Sequence, residues 1–146
     1  MLFSLLTGVI SLLNAETPRY TIRADTSNAG LNLSFLQTHS DLPYPSSLPI
    51  LDIVGSTSNA QAELLMESPF EGSFDVSTSN AQVDFSSGLR SKKDPLGLGR
   101  QQHVESAIDL KSKKQGRVYW GDLDDGRELG RVELSTSNGR ASLHLQ

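Results

Sequence analysis

Cysteine is absent from the 146 residues, which excludes a disulfide framework, a thiolate nucleophile and any cysteine metal site. Histidine occurs three times, as His39, His103 and His144. These lie in separate segments with no spacing that sets two on one face, so neither a histidine metal site nor a histidine-based catalytic arrangement is implied. Aromatic residues are only 6% of the chain, with one tryptophan. No second ring is spaced to work with Trp120 as a sugar-stacking platform, and it reads as a core or strand-end anchor. A long apolar run is also missing. The first fifteen residues are apolar but too short and interrupted to span a bilayer, so no transmembrane segment is expected. Basic excess is missing too: net charge is -4 and the pI is near 5.3, which does not suggest general nucleic-acid binding. There is no glycine-rich phosphate loop before a helix and no glycine-flanked serine elbow. Asp124 and Asp125 sit in a turn without an acid across a cleft. The expectation is a protein that is not an enzyme and needs no cofactor or metal.

What the chain does have is a repeat. The core Thr-Ser-Asn-Ala/Gly occurs four times, centred on Asn28, Asn59, Asn80 and Asn138. Six residues before the asparagine stand Ile22, Ile53, Phe74 and Val132, and four before it Ala24, Gly55, Val76 and Leu134. The first position after it holds Ala29, Ala60, Ala81 or Gly139, the third Leu31, Ala62, Val83 or Ala141, and the fifth Leu33, Leu64, Phe85 or Leu143. The positions between are mostly polar, Val54 and Leu65 excepted. A fixed phase of this kind marks a structural repeat, and its period of two means two half-buried strands per unit. Between the inward threonine and the inward alanine or glycine lie two residues, so the chain turns there. Asparagine tolerates a left-handed backbone, and serine and asparagine side chains bond nearby backbone groups, so the four asparagines are repeat-turn structural residues.

Two architectures fit the phase. In a hairpin, Thr78 faces Ala81, Val76 faces Val83 and Phe74 faces Phe85 across antiparallel strands. In a β-solenoid, Ser-Asn is a corner and like positions of successive coils stack. The solenoid is the leading reading, with Phe74, Val76, Val83, Phe85, Val132, Leu134 and Leu143 in the core. An antiparallel β-sandwich of hairpins is the alternative.

At 36% hydrophobic the chain suits one all-β domain over 1–146. Residues 1–15 read as a worn first repeat, with Phe3, Leu5, Gly8, Ile10 and Leu12 on inward positions and Thr7 in the place of the asparagine. They lack the basic n-region of a signal peptide. Residues 38–49 are a surface loop. Asn32-Leu33-Ser34 matches a glycosylation sequon but reads as an outward strand asparagine. The second and third repeats, 21 residues apart, are joined by a return through Pro69 and Gly72. A basic, flexible insertion follows at about 87–103, and 104–110 reads as a strand. Asp122, Asp124 and Glu133 fall at calcium-loop spacings, but the required glycine is one place early and Arg127 occupies its position, so a hairpin turn closed by Asp125-Gly126 is expected.

Charge is unevenly distributed. Eight of the thirteen basic residues and three acids lie in 90–117, so that segment carries +5 and the remainder -9. Arg90, Lys92, Lys93, Arg100, Lys111, Lys113, Lys114 and Arg117 are the candidate anion-binding residues.

The pattern apolar-x-apolar-x-Thr-Ser-Asn-Ala/Gly-x-apolar-x-apolar resembles the bacterial putative-adhesin repeat domain. More closely it resembles an uncharacterised fungal β-repeat family, a domain of unknown function, on Pro69-Phe70-Glu71-Gly72, Trp120-Gly121-Asp122 and the final Thr-Ser-Asn-Gly. The resemblance covers residues 20–145. It implies an all-β, solenoid-like stack and carries no catalytic residues.

The functional expectation is a non-catalytic structural or adhesin-like module that presents a sheet face to a macromolecular partner. The alternative is a polyanion or acidic-membrane-surface binder working through 90–117, and a polysaccharide-active enzyme on a β-solenoid ranks third. Exposed strand edges invite edge-to-edge self-association. The lack of cysteine favours an intracellular location slightly over secretion.

Overall fold

The computed structural model describes residues 4–10, 17, 19–37, 47–67, 69–88, 93–123 and 126–145. Every regular element among them is a β-strand. Each repeat supplies an incoming strand, the Thr-Ser-Asn turn and a return strand. The incoming strands are β2 (Arg19–Thr26), β4 (Ile50–Thr57), β6 (Gly72–Thr78) and β10 (Gly130–Thr136), and the returns are β3 (Leu31–Gln37), β5 (Ala62–Met66), β7 (Val83–Ser87) and β11 (Ala141–Leu145). β1 (Ser4–Ile10) precedes them, and β8 (Gln102–Asp109) and β9 (Lys113–Trp120) lie between the third and fourth repeats.

The Ser-Asn pair is a corner, and the two strands of a unit go to different sheets. Incoming strands join β8 and β9 in a six-stranded sheet ordered β2-β4-β10-β6-β9-β8. Returns join β1 in a five-stranded sheet ordered β1-β3-β5-β11-β7. Pairing between units is parallel and in register: Val132 lies opposite both Ile53 and Phe74, and Leu143 opposite both Leu64 and Phe85. Hairpin pairing within a repeat therefore does not occur. Phe74 does meet Phe85, but from sheet to sheet, with ring centroids 4.4 Å apart and planes 12° from parallel.

Like positions stack, yet the units do not follow one another in space. The fourth inserts between the second and third, so the close spacing of the second and third in sequence is not adjacency in the fold. The protein is an all-β pair of packed sheets. Glycine explains how the central unit fits. A Cβ on Gly139, where the other units carry alanine, would stand 1.9 Å from the carbonyl oxygen of Ala60, and one on Gly130 would stand 2.5 Å from that of Leu51.

Alternation dictates the core between the sheets. Ile53, Phe74, Val76, Val132, Leu134, Leu64 and Leu143 are each at most 2% exposed. Ile22, Ala24 and Phe85, at the ends of the stack, are only partly buried. Each buried threonine hydroxyl meets a carbonyl of the neighbouring unit: Thr57 to Ala29, Thr136 to Ala60 and Thr78 to Gly139, at 2.9 to 3.1 Å. The asparagines form a ladder. Asn59 donates to Asn28, Asn138 to Asn59 and Asn80 to Asn138, each from Nδ2 to Oδ1 at 2.7 Å.

Asn138 both donates and accepts in that ladder. Asn138→Ala should therefore cost about 1 kcal/mol for exposed, neutral hydrogen bonds, read as a melting temperature lower by about 3 °C. An unchanged melting temperature would show the ladder to be decorative.

Two further differences from the sequence reading have physical causes. β1 pairs along its whole length with β3, Ser4 opposite Leu31 and Thr7 opposite Ser34. It holds the place of a return strand, and Thr7 lies within it and not at a turn. β9 and β10 do not pair as the hairpin expected around Asp125-Gly126, because β9 pairs with β6 and β8 while β10 lies on the far side of β6; Asp124 and Asp125 themselves lie outside the described residues. The crossover from β9 to β10 ends with the Gly130 N–H donating to the carbonyl of Glu71, at the start of β6, at 2.9 Å.

Candidate functional site

Among the described residues, three places gather polar chemistry. The first is the end of the sandwich opposite the Asn ladder, where two buried carboxylates meet two guanidiniums. Glu71, beside Phe70 at the start of β6, is 8% exposed. It accepts from the Trp120 N–H at 2.8 Å and from Arg127 Nη1 at 2.8 and 2.9 Å. Arg127 Nη2 in turn donates to the carbonyls of Trp120 and Asp122. Arg100 stands 3.6 Å from Glu71 and binds Asp94 through Nη2 at 2.9 Å. Trp120, 1% exposed, is the anchor the sequence suggested.

Asp94 organises the described part of the insertion. Its carboxylate accepts from the backbone N–H groups of Leu96, Leu98 and Arg100, each at 3.0 Å, as well as from the Arg100 side chain. Residues 93–100 are thus wrapped around a buried acid that a glycine-rich loop in sequence gives no reason to expect. Arg100 beside Asp94, together with those N–H groups, holds the carboxyl far below the usual carboxylate range, burial opposing only in part.

The sign of the pH effect follows. A depressed folded pKa contributes stability that is complete above the unfolded carboxyl value, near 4, and is lost as pH falls below it toward the folded value. Denaturant titrations of the wild type should show stability falling from about pH 4 downward. Asp94→Asn should start lower and fall less over the same interval. Parallel curves would remove Asp94 from the acid response.

The second place is the outer face of β8 and β9. Glu105 accepts the Tyr119 hydroxyl at 2.7 Å and, with burial, pushes the phenol up. The His103 and Tyr119 rings stack with centroids 5.1 Å apart. Alongside, Glu105, Ser106, Ala107, Gly116 and Arg117 line an open groove of about 540 Å³ at the β-bulge between Ser106 and Ile108. Spacing gave no sign of this cluster, since register alone sets His103 opposite Tyr119 and Glu105 opposite Arg117.

The third is the candidate anion-binding segment, which the fold divides. Arg90 and Lys92 lie outside the described residues, as do His39, Asp124 and Asp125. Arg100 is held in the internal cluster. Lys113 pairs with Asp75 at 3.2 Å, and Lys114 pairs with Asp109. Lys93, Lys111 and Arg117 are exposed. Lys93 lies beside Asp94 at the Trp120 end of β9, whereas Lys111 lies at the β8–β9 tip, whose carbonyls receive the N–H groups of Thr78 and Val83. An eight-residue strand separates them, roughly 27 Å at the usual rise.

Comparison with known proteins places little beside this arrangement. No family model matches the chain, and no curated protein matches it. One solved structure, the crystal structure of a "putative cell adhesion protein" from Clostridium sporogenes ATCC 15579, is similar at a TM-score of 0.37 and 5% identity, over 84% of this chain and 43% of that one. The match thus spans less than half of that protein. Among the described residues no helix is long and apolar enough to cross a membrane.

Proposed function

We propose that the protein is a non-catalytic, adhesin-like interaction module, a solenoid-like stack with reordered units that meets its partner with a sheet face. The observation that carries this reading is the outer face of the six-stranded sheet. Register aligns its side chains in continuous rows, such as Asp25-Ser56-Ser135-Ser77-Lys113 and Thr21-Asp52-Arg131-Ser73-Arg117-Glu105. Short hydroxyls alternate there with charges of both signs, which suits broad surface recognition more than enclosure of a small ligand. The buried carboxylates Glu71 and Asp94 meanwhile bond guanidiniums that fasten loops, a structural use of the chain's strongest chemistry. The name of the structural neighbour is compatible with this reading, and at that TM-score it adds no weight.

Adhesion of immobilised protein to polysaccharide- and protein-coated surfaces tests it. Ser56→Lys, Ser77→Lys and Ser135→Lys together should abolish adhesion while the protein still melts cooperatively, at a lower temperature because the new charges stand side by side with Lys113. Lys93→Gln and Lys111→Gln together should leave it intact. The exposed Lys93, Lys111 and Arg117 support a second reading as a polyanion binder. That reading gains if the glutamine variant instead loses binding to heparin, RNA or anionic liposomes and the wild type's binding fades with salt. Turnover of a polysaccharide by the wild type would overturn the non-catalytic assignment.

A further inference from the structure

The repeat stack has two unlike ends. At the third unit the six-stranded sheet continues through β9 and β8 beyond β6, while β7 is the edge of the five-stranded sheet and the β8–β9 tip receives the N–H groups of Thr78 and Val83. At the first unit the stack is open in one sheet. β1 extends the five-stranded sheet one strand beyond β3, while β2 is the edge of the other. One unit beyond the first is therefore half made among the described residues, its return strand present as β1 and its incoming strand missing beside β2.

Three observations say what fits that slot. The inward row Tyr20, Ile22 and Ala24 is only partly buried, where the same row in β4, β10 and β6 is sealed. An occupant therefore brings alternate apolar residues. The Thr and Asn donors of the corners point one way along the stack: Asn59, Asn138 and Asn80 donate through both backbone N–H and side-chain amide toward the first unit, as the threonine hydroxyls do, while the N–H groups of Leu31, Ala62 and Ala141 after the corners point the other way. The last of the series, Thr26 Oγ1 and Asn28 Nδ2, meet no acceptor among the described residues, so an occupant brings acceptors at a turn. Finally, Arg23 is 73% exposed on the outer face of β2, where it pairs with Asp25 at 2.7 Å, and its remaining guanidinium donors let an acid on the occupant join that ion pair.

We infer that the β2 edge is a strand-addition site. It takes one extended segment of a partner, parallel to β2, with this chain's own repeat pattern of apolar-acid-apolar-x-Thr-Ser-Asn. Exposed strand edges bind in this way through backbone hydrogen bonds, with alternate side chains setting specificity. The occupant is a single strand and turn, not a whole unit, because β1 already holds the place of its return. This site is distinct from the broad sheet face and stands whether or not that face adheres to anything.

The test uses the full chain and a labelled peptide copying residues 130–139. Parallel register sets its valine opposite Ile22, its glutamate opposite Arg23 and its asparagine opposite Asn28. Saturable binding is expected by fluorescence anisotropy. Two peptides N-methylated at alternate backbone nitrogens should differ, one losing binding and the other keeping it, since only one edge of the added strand faces β2. Arg23→Glu should weaken binding about threefold, as for an exposed ion pair, and a peptide carrying Glu133→Arg should restore it. No binding up to about 1 mM peptide overturns the proposal, as does binding indifferent to both methylation patterns. A dimer that forms through β2 and excludes the peptide overturns it in favour of a second copy of this chain.

Discussion

Leu134→Asp should yield no cooperatively folding protein. Leu134 is 0% exposed and lies on β10, the strand between β4 and β6, opposite Gly55 and Val76. It also fills the space over Gly55, since a Cβ there would stand 3.0 Å from Leu134 Cδ1 and from Leu31 Cδ2. A carboxylate at this point has no counter-charge within the apolar core. The cost of burying it ionised, tens of kcal/mol by solvation arguments, far exceeds the roughly 5–15 kcal/mol that holds a domain together. Staying protonated would still forfeit about 2–3 kcal/mol of apolar burial and strand polar atoms without partners. Leu134→Met is the control, with a cost below about 1.5 kcal/mol because volume and polarity are kept. Circular-dichroism melts and soluble yield would show it. A Leu134→Asp protein melting cooperatively within a few degrees of the wild type would mean that β10 does not occupy the centre of the stack.

That central position also marks where sequence reasoning stopped. The phase around each asparagine placed Phe74, Val76, Val83, Phe85, Val132, Leu134 and Leu143 in the core, because alternation is a local property of a strand, and of these only Phe85, at the end of the stack, is partly buried. It also located each corner between threonine and alanine or glycine. It could not order the units. Parallel strands with equivalent patterns pair equally well in any sequence of stacking, so the insertion of the fourth unit is decided by fit at Gly130 and Gly139. Pairings over long separations left no trace either. Glu71 and Arg127 stand 56 residues apart, and nothing in the return through Pro69-Phe70-Glu71-Gly72 singles out its one acid. Asp94 sits among glycine, proline and lysine, the composition of a loose loop, and only the fold brings its N–H donors and Arg100 around it.

Glu71 is where the second large effect is expected. Its carboxylate holds the end of β9 through Trp120 and the crossover through Arg127, its carbonyl receives the first N–H of β10, and Arg100 links it to the insertion. Glu71→Gln keeps the shape and takes a buried negative charge away from the Arg127 and Arg100 guanidiniums. Breaking one side of such a group costs roughly 3 kcal/mol or more, a melting temperature lower by about 10 °C in a chain of this size. Removing both partners should cost less than removing one, so Glu71→Met combined with Arg127→Met should be more stable than Glu71→Met alone. Trp120 gives a local readout as well, because loss of the carboxylate frees its backbone N–H and should shift its fluorescence before global unfolding. If Glu71→Gln melts with the wild type, or if the double replacement is the worse of the pair, the cluster does not fasten the crossover. The position of β10 would then rest on the threonine and asparagine bonds at the other end of the stack.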